Sequence, residues 1–310
     1  MSDPIRIGTR RSLLARTQSE LVAALLRERL GRAVRLVEVT TEGDVSTAPL
    51  ASIGGTGVFV SALRDALLRG DVDLAVHSLK DLPTVPDERI TLAAVPLRED
   101  PRDVVIARDG LTLGELPAGA RIGTGSPRRA AQLHALGLGF DVVAIRGNVD
   151  TRIAKVASGE VDAVVLARAG IARLGRLDEV TEVLDPLQML PAPGQGALAV
   201  ECRREDADLA AAVRDAIDDP STRAAVVAER AVLATLEAGC TAPVGAMGEV
   251  AEGEDGDELW LRAVALSHDG AVAVRRSATG SPGDADKVGR TLAEEMLEDG
   301  ASELIEEQAS

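Results

Sequence analysis

The sequence lacks what an exported or membrane-spanning chain needs. It has no run of 18 apolar residues, which excludes a transmembrane helix. The opening Met1-Ser2-Asp3-Pro4-Ile5-Arg6 carries neither the basic nor the apolar region of a signal peptide. Both absences lead us to expect a cytoplasmic protein with no membrane partner. Cysteine is scarce: Cys202 and Cys240 are too few for a disulfide framework. Lysine is nearly missing, with only Lys80, Lys155 and Lys287, so basic residues are almost all arginine. His77, His134 and His268 show no metal-ligand spacing, and no metal site is expected. Positive charge is short overall. A formal net charge of −16 argues against nucleic acid as a partner, and no DNA-binding segment is present.

What is present is a 310-residue chain, 45% hydrophobic and 27% charged, as in a soluble protein with room for two or three cores. The charge is uneven. Residues 121–176 hold eight Arg and one Lys against Asp141, Asp150, Glu160 and Asp162, a positive surplus inside an acidic protein. Such a basic middle suits a small anionic ligand better than a polymer.

Strands and helices alternate, which predicts an α/β fold with mostly parallel sheets. A strand at 5–8 turns at Thr9-Arg10-Arg11-Ser12 into a helix with apolar positions Leu13, Leu14, Leu21, Val22, Leu25 and Leu26. A strand follows at 36–39, then a loop with Thr41-Glu42-Gly43-Asp44. Next, Ile53-Gly54-Gly55-Thr56-Gly57-Val58-Phe59 forms a glycine-rich loop that opens a helix through Arg69. The loop has no P-loop Lys-Ser/Thr and reads first as a surface loop. A strand at 72–76 runs into His77-Ser78-Leu79-Lys80-Asp81-Leu82-Pro83. Ligands sit at the carboxyl ends of strands in open α/β sheets, which makes Lys80 and Asp81 candidate working residues. Taken alone, the pair reads first as a surface ion pair capping a loop.

Arginines recur at later strand ends. After Arg121-Ile122-Gly123-Thr124 come Gly125-Ser126-Pro127-Arg128-Arg129, with Ser126 as an N-cap and Pro127 as the first helical residue. Two cations in a first turn oppose the helix dipole, which marks a site. Arg146-Gly147-Asn148 follows the next strand, with Arg152 in the helix behind it. Ala167-Arg168 follows another, with Arg173 one turn on. Any one of these is ordinarily a solvated charge; the set points to a carboxylate- or phosphate-binding cleft.

Crossings at 96–101 and 190–196 suggest a chain that leaves its first domain and returns. That gives two lobes, a cleft between them and a two-stranded hinge. We place domain 1 at 1–97 with 197–217, domain 2 at 101–191 and a smaller α+β domain at 220–310. A helix at 222–238 ends at Gly239, a natural C′ residue, before Cys240-Thr241-Ala242-Pro243. By default a free cysteine is a small buried hydrophobe, and Cys202, inside a strand pattern, keeps that reading. Cys240, in a Gly/Thr/Pro loop past a helix end, is instead displayed, as an attachment point or nucleophile would be.

Taken in order, these strings closely resemble the hydroxymethylbilane synthase, or porphobilinogen deaminase, family. The resemblance runs through Thr9-Arg10-Arg11-Ser12, Gly54 to Phe59, Ala75 to Asp81 and Arg98-Glu99-Asp100-Pro101-Arg102-Asp103. It continues through Gly123 to Arg129, Arg146-Gly147-Asn148-Val149, Pro193-Gly194-Gln195-Gly196-Ala197 and Glu237-Ala238-Gly239-Cys240. It implies two lobes like type II periplasmic binding proteins, plus a third domain whose Cys240 holds a dipyrromethane cofactor by a thioether. Four porphobilinogen molecules add to that primer with loss of ammonia, and hydrolysis releases the linear tetrapyrrole. Each ring carries an acetate and a propionate, a need that arginine meets by bidentate pairing.

The resemblance further implies that Asp81 stabilises the cationic azafulvene at its pyrrole nitrogen and relays protons. By the same route Arg10, Arg128, Arg129, Arg146, Arg152 and Arg173 bind cofactor and substrate carboxylates. Ser12, Ser78, Lys80, Thr124 and Ser126 support them by hydrogen bonds, and Phe59 joins the binding set. Three positions depart from the family: Thr56 stands where lysine is common, and Gly125 and Pro127 where serine and leucine are usual. The family is generally monomeric. The other reading of the residues is a two-lobed anionic solute-binding protein without catalysis, which leaves Cys240 unexplained.

Overall fold

The structure is a computed structural model that describes residues 3–39, 57–238, 242–254 and 256–306. The loop at 41–44, Thr56, Gly239, Cys240 and the side chain of Phe59 lie outside the described residues. Its contacts divide the chain into two compact units, Met1–Glu99 with Ala197–Arg223, and Asp100–Gly196 with Ala224–Ser310.

In the first unit β1 (Ile5–Thr9) leads into α1 (Leu13–Leu30). Ser12 caps that helix, its Oγ accepting from the Ala15 N–H at 3.3 Å, and Gly31 ends it at φ 61°, a conformation that favours glycine. Strand β2 (Val34–Glu38) returns parallel to β1. Helix α2 (Gly57–Leu68) then delivers β3 (Leu74–Ser78) to the other side of β1, also parallel, and β4 (Ile90–Ala94) lies beyond.

The second unit repeats the scheme. Its elements are β5 (Asp103–Ala107), β6 (Arg121–Thr124), α3 (Pro127–Ala135), β7 (Asp141–Ala144), α4 (Val149–Ala157), β8 (Ala163–Ala167), α5 (Arg168–Arg173) and β9 (Glu182–Val183). The chain then supplies β10 (Leu198–Arg203) and α6 (Ala207–Ile217) to the first unit. Helix α7 (Pro220–Thr235) precedes a three-stranded antiparallel sheet, β11 (Val244–Gly253), β12 (Gly256–Leu266) and β13 (Ala273–Gly280), backed by α8 (Ala285–Glu298) and α9 (Ala301–Glu306).

Strand order is β2-β1-β3-β10-β4 in the first sheet and β7-β6-β8-β5-β9 in the second. The expectation of two α/β lobes and a smaller sheet-rich part holds. The sheets are less parallel than expected, because β10 runs antiparallel to β3 and β4, and β5 antiparallel to β8 and β9. These strands enter straight from a crossing without a helical return, so they need not run parallel to their neighbours.

Each lobe's sheet is buried on both faces. In the second unit Val104 and Ile106 pack with Ile145, Ile153 and Ile171, while Val105 between them packs with Ile122, Leu133 and Met189. A strand covered on both sides reads as a continuous apolar run and can offer polar groups only at its ends. That fixes where chemistry can sit.

Candidate active site

At the carboxyl end of β3, Ser78 opens a single 3-10 turn, Leu79–Asp81. Leu79 is fully buried and its N–H donates to the Ala197 carbonyl at 3.0 Å, pinning the turn to the strand entering β10. Lys80 and Asp81 are left half-buried beside it. The Asp81 carboxylate has no hydrogen bond or ion pair among the described residues, and the Ser78 hydroxyl makes no capping bond. At the parallel end of β1, Arg10 is half-buried, Arg11 pairs with Glu38 at 2.6 Å and Ser12 is the cap of α1.

His77 lies in a buried ionic cluster. Its Nε2 lies 3.3 Å from Oε2 of Glu201 on β10, and Arg64 of α2 grips the same carboxylate through two bonds of 3.0 and 2.7 Å. All three lie beneath the strand end, with His77 and Glu201 almost fully buried. Burial pushes the Glu201 carboxyl up, but the adjacent His77 ring together with the hydrogen bonds and charge of Arg64 outweighs it and holds the pKa down to about 2. Cys202, one residue on, is buried as expected, and burial pushes its thiol up to about 11.

The second unit brings three parallel strand ends together, those of β6, β7 and β8. Ser126 caps α3 by accepting from the Arg129 N–H, and Pro127 opens the helix, as the spacing predicted. Thr124 Oγ1 accepts from the Ser126 N–H at 3.2 Å and shapes the turn. Gly125 permits a close approach: a Cβ would stand 2.7 Å from the Ile145 carbonyl oxygen, so a larger residue requires the backbone here to shift. Asn148 caps α4, accepting from the Thr151 N–H at 2.9 Å. Arg146 is exposed, with no hydrogen bond or ion pair among the described residues. Arg152 donates from Nε to the Gly147 carbonyl at 2.8 Å, and burial together with the nearby Arg129 charge lowers its pKa. Arg173 is half-buried and donates to the Gly196 carbonyl at 2.6 Å.

Arg128 and Arg129, expected among the ligand-facing groups, lie inside the lobe with 3% and 5% of their surface exposed. Both donate to Asp103 at the start of β5, each through Nη2 at 2.8 Å, and Gln195 Nε2 donates to the same carboxylate at 2.7 Å. Asp103 is fully buried. Desolvation raises its pKa, but the two guanidinium charges prevail and hold it well below the usual carboxylate range. Gln195 also donates to the Pro101 carbonyl at 2.7 Å, so this cluster fastens both crossing segments together. Asp103 and Gln195 had no assigned role in the sequence. The one local signal is an acid opening the otherwise apolar strand Asp103-Val104-Val105-Ile106-Ala107.

Comparison with known proteins decides the family. A model described as porphobilinogen deaminase, dipyromethane cofactor binding domain, matches residues 5–211, and the C-terminal domain model of the same family matches residues 223–298. The chain belongs to the porphobilinogen deaminase family. It is 60% identical over 312 residues to a porphobilinogen deaminase of Nocardia farcinica, covering 99% of this chain and 89% of that protein. It is 59% identical to those of Mycobacterium tuberculosis, over 97% of this chain and 98% of theirs, and 58% identical to that of Mycobacterium avium. Among solved structures it is also similar to the methionine binding protein MetQ, at 12% identity and a TM-score of 0.44 over 68% of this chain and 89% of that one, too slight to argue from.

A porphobilinogen deaminase carries dipyrromethane, and the second unit suits such a polycarboxylated group. Two buried guanidinium groups face a single carboxylate, Asp103, and the Nε atoms of Arg128 and Arg129 have no hydrogen-bond partner among the described residues. Arg146 and Arg152 add cations at neighbouring strand ends, beside the N-termini of α3 and α4. A surplus of fixed donors at helix starts is what carboxylates require.

Proposed function

We propose that this chain acts as a hydroxymethylbilane synthase of the transferase class. It condenses four porphobilinogen molecules head to tail on an enzyme-bound dipyrromethane primer, releases ammonia at each step and hydrolyses the product to the linear tetrapyrrole. The near-full-length similarity to curated porphobilinogen deaminases carries the reading. The bound primer supplies a nucleophilic pyrrole carbon.

The chain's own residues do the rest. Asp81, with no partner among the described residues, accepts the pyrrole N–H of the deaminated substrate and offsets its developing positive charge. Lys80 and Ser78 on the same turn orient the ring's polar groups. Arg10 and Ser12 in the first unit, and Arg146, Arg152, Arg173, Thr124 and Ser126 in the second, bind cofactor and substrate carboxylates, and Phe59 belongs to the same binding set. Arg128 and Arg129, buried beside Asp103, complete this cationic set and add positive charge toward the bound carboxylates. Cys240 anchors the primer through sulfur.

We also propose that residues 220–310 act as a third domain. Its sheet and helices have their own core, including Val232, Leu259, Leu261, Leu292 and Met296. The working form is a cytoplasmic monomer; no described helix is long and apolar enough to cross a membrane.

Purified protein should convert porphobilinogen to a product that closes to uroporphyrinogen, and its intact mass should exceed the sequence mass by two pyrrole units. Absent turnover together with a bare mass, from cells that make porphyrins, sinks the reading. Cys240→Ser protein should carry no pyrrole adduct; an adduct still attached would move the anchor elsewhere.

A further inference from the structure

The C-terminal sheet has one open face. Side chains alternate along β12, so Leu259, Leu261 and Ala263 enter the core while Trp260, Arg262 and Val264 point the other way. The register places Ser277 opposite Arg262 and Arg275 opposite Val264, on the same face. The inner end of this face is covered, with Val264 and Leu266 packed on Ala131 and Leu190. The outer end is open: Trp260 is 51% exposed and both arginines are exposed. A pocket of about 390 Å³ lies where this face meets the 186–190 segment, lined by Pro186, Leu187, Leu190, Arg262, Arg275 and Ser277. Leu187 is 72% exposed.

The guanidinium groups of Arg262 and Arg275 have no hydrogen bond or ion pair among the described residues, whereas Arg276 is paired with Asp299 and Arg290 with Asp286. Two unpaired neighbouring cations are unexpected in a chain with 50 acidic residues. Their backbones are about 8 Å apart, two residues along the strand direction and one strand across. Glu249 lies opposite Trp260 and Glu258 two residues before it, so the arginines form the cationic end of this face and the indole separates them from the acids. Cations beside an exposed indole and apolar side chains suit a flat ring system carrying more than one carboxylate.

We propose that this face is a second binding site for carboxylated pyrroles, in which Arg262 and Arg275 hold two carboxylates and the rings lie on Trp260 and Leu187. The ligand class rests on the activity proposed above; the site itself does not. Both the single-ring substrate and a tetrapyrrole product share the required chemistry.

Trp260 is the chain's only tryptophan, so its fluorescence reports from this face. Holoenzyme is titrated with uroporphyrin I, and Asp81→Asn holoenzyme with porphobilinogen, with N-acetyltryptophanamide as the inner-filter control. Saturable quenching is expected with at least one probe: uroporphyrin I alone identifies a tetrapyrrole site, and porphobilinogen a single-ring site. The double variant Arg262→Gln/Arg275→Gln should bind at least tenfold more weakly while turning over porphobilinogen at the native rate. No saturable quenching, or equal affinity in the double variant, overturns the site. Loss of turnover in the unmodified protein would instead overturn the activity.

Discussion

Replacing Asp103 by Asn tests how the second unit holds its arginines. The carboxylate is fully buried and accepts from Arg128, Arg129 and Gln195 at 2.8, 2.8 and 2.7 Å. An amide keeps the shape but removes the charge, and its NH2 group faces donors. Stranding buried charge in this way costs about 3–5 kcal/mol. For a domain of this size that lowers the melting temperature by roughly 10 °C. The acid limb should change as well. Asp103 titrates below its ordinary 3.8, so the pair's stability is present above 3.8 and is lost as pH falls below it. The variant lacks that component and should lose less between pH 5 and pH 3. Adding Arg129→Gln should return part of the lost stability, because one stranded cation is gone. Thermal unfolding followed by circular dichroism at several pH values reads all three. A midpoint within about 2 °C of the native one, with an unchanged acid limb, would refute the account of the cluster.

Other perturbations follow from the same geometry. Asp81→Asn should lower kcat by about 10²–10⁴-fold with little change in melting temperature, and unaltered turnover would remove Asp81 from its role. Glu201 has a pKa of about 2 against an ordinary 4.5, so its contribution is present above pH 4.5 and is lost as pH falls towards 2. That shift corresponds to about 3 kcal/mol, and urea unfolding of Glu201→Gln at pH 7 and pH 3 should show a smaller acid loss than the native chain. Gly125→Ser places a Cβ 2.7 Å from a backbone oxygen and should cost about 1–3 kcal/mol, read as a lower urea midpoint.

The alternation of apolar strands and amphipathic helices made the two α/β lobes legible. Local chemistry disclosed the Ser126 cap because capping needs only a hydroxyl or amide next to a helix start. Strand β11 stayed hidden, since Val244–Gly253 is rich in glycine and alanine and its stability comes from ten residues paired along β12. The direction of β10 was equally hidden, because it depends on which strands it joins. The ion clusters lay furthest out of reach. Arg64 and Glu201 are 137 residues apart, and Asp103 is 25 from Arg128, so no local pattern connects them. Buried acids in apolar strands were the available hint, since such charges survive only when paired.

The insertion of β10 between β3 and β4 also bears on how the chain matures. When the ribosome has made residues 3–100, those two strands still lack the neighbour that joins them, and their edges stay open to wrong partners. The central sheet, by contrast, is encoded without interruption from Asp103 to Val183. Synthesis therefore begins with one lobe but closes the other first, and the earliest segment waits for Leu198–Arg203 before its sheet is sealed.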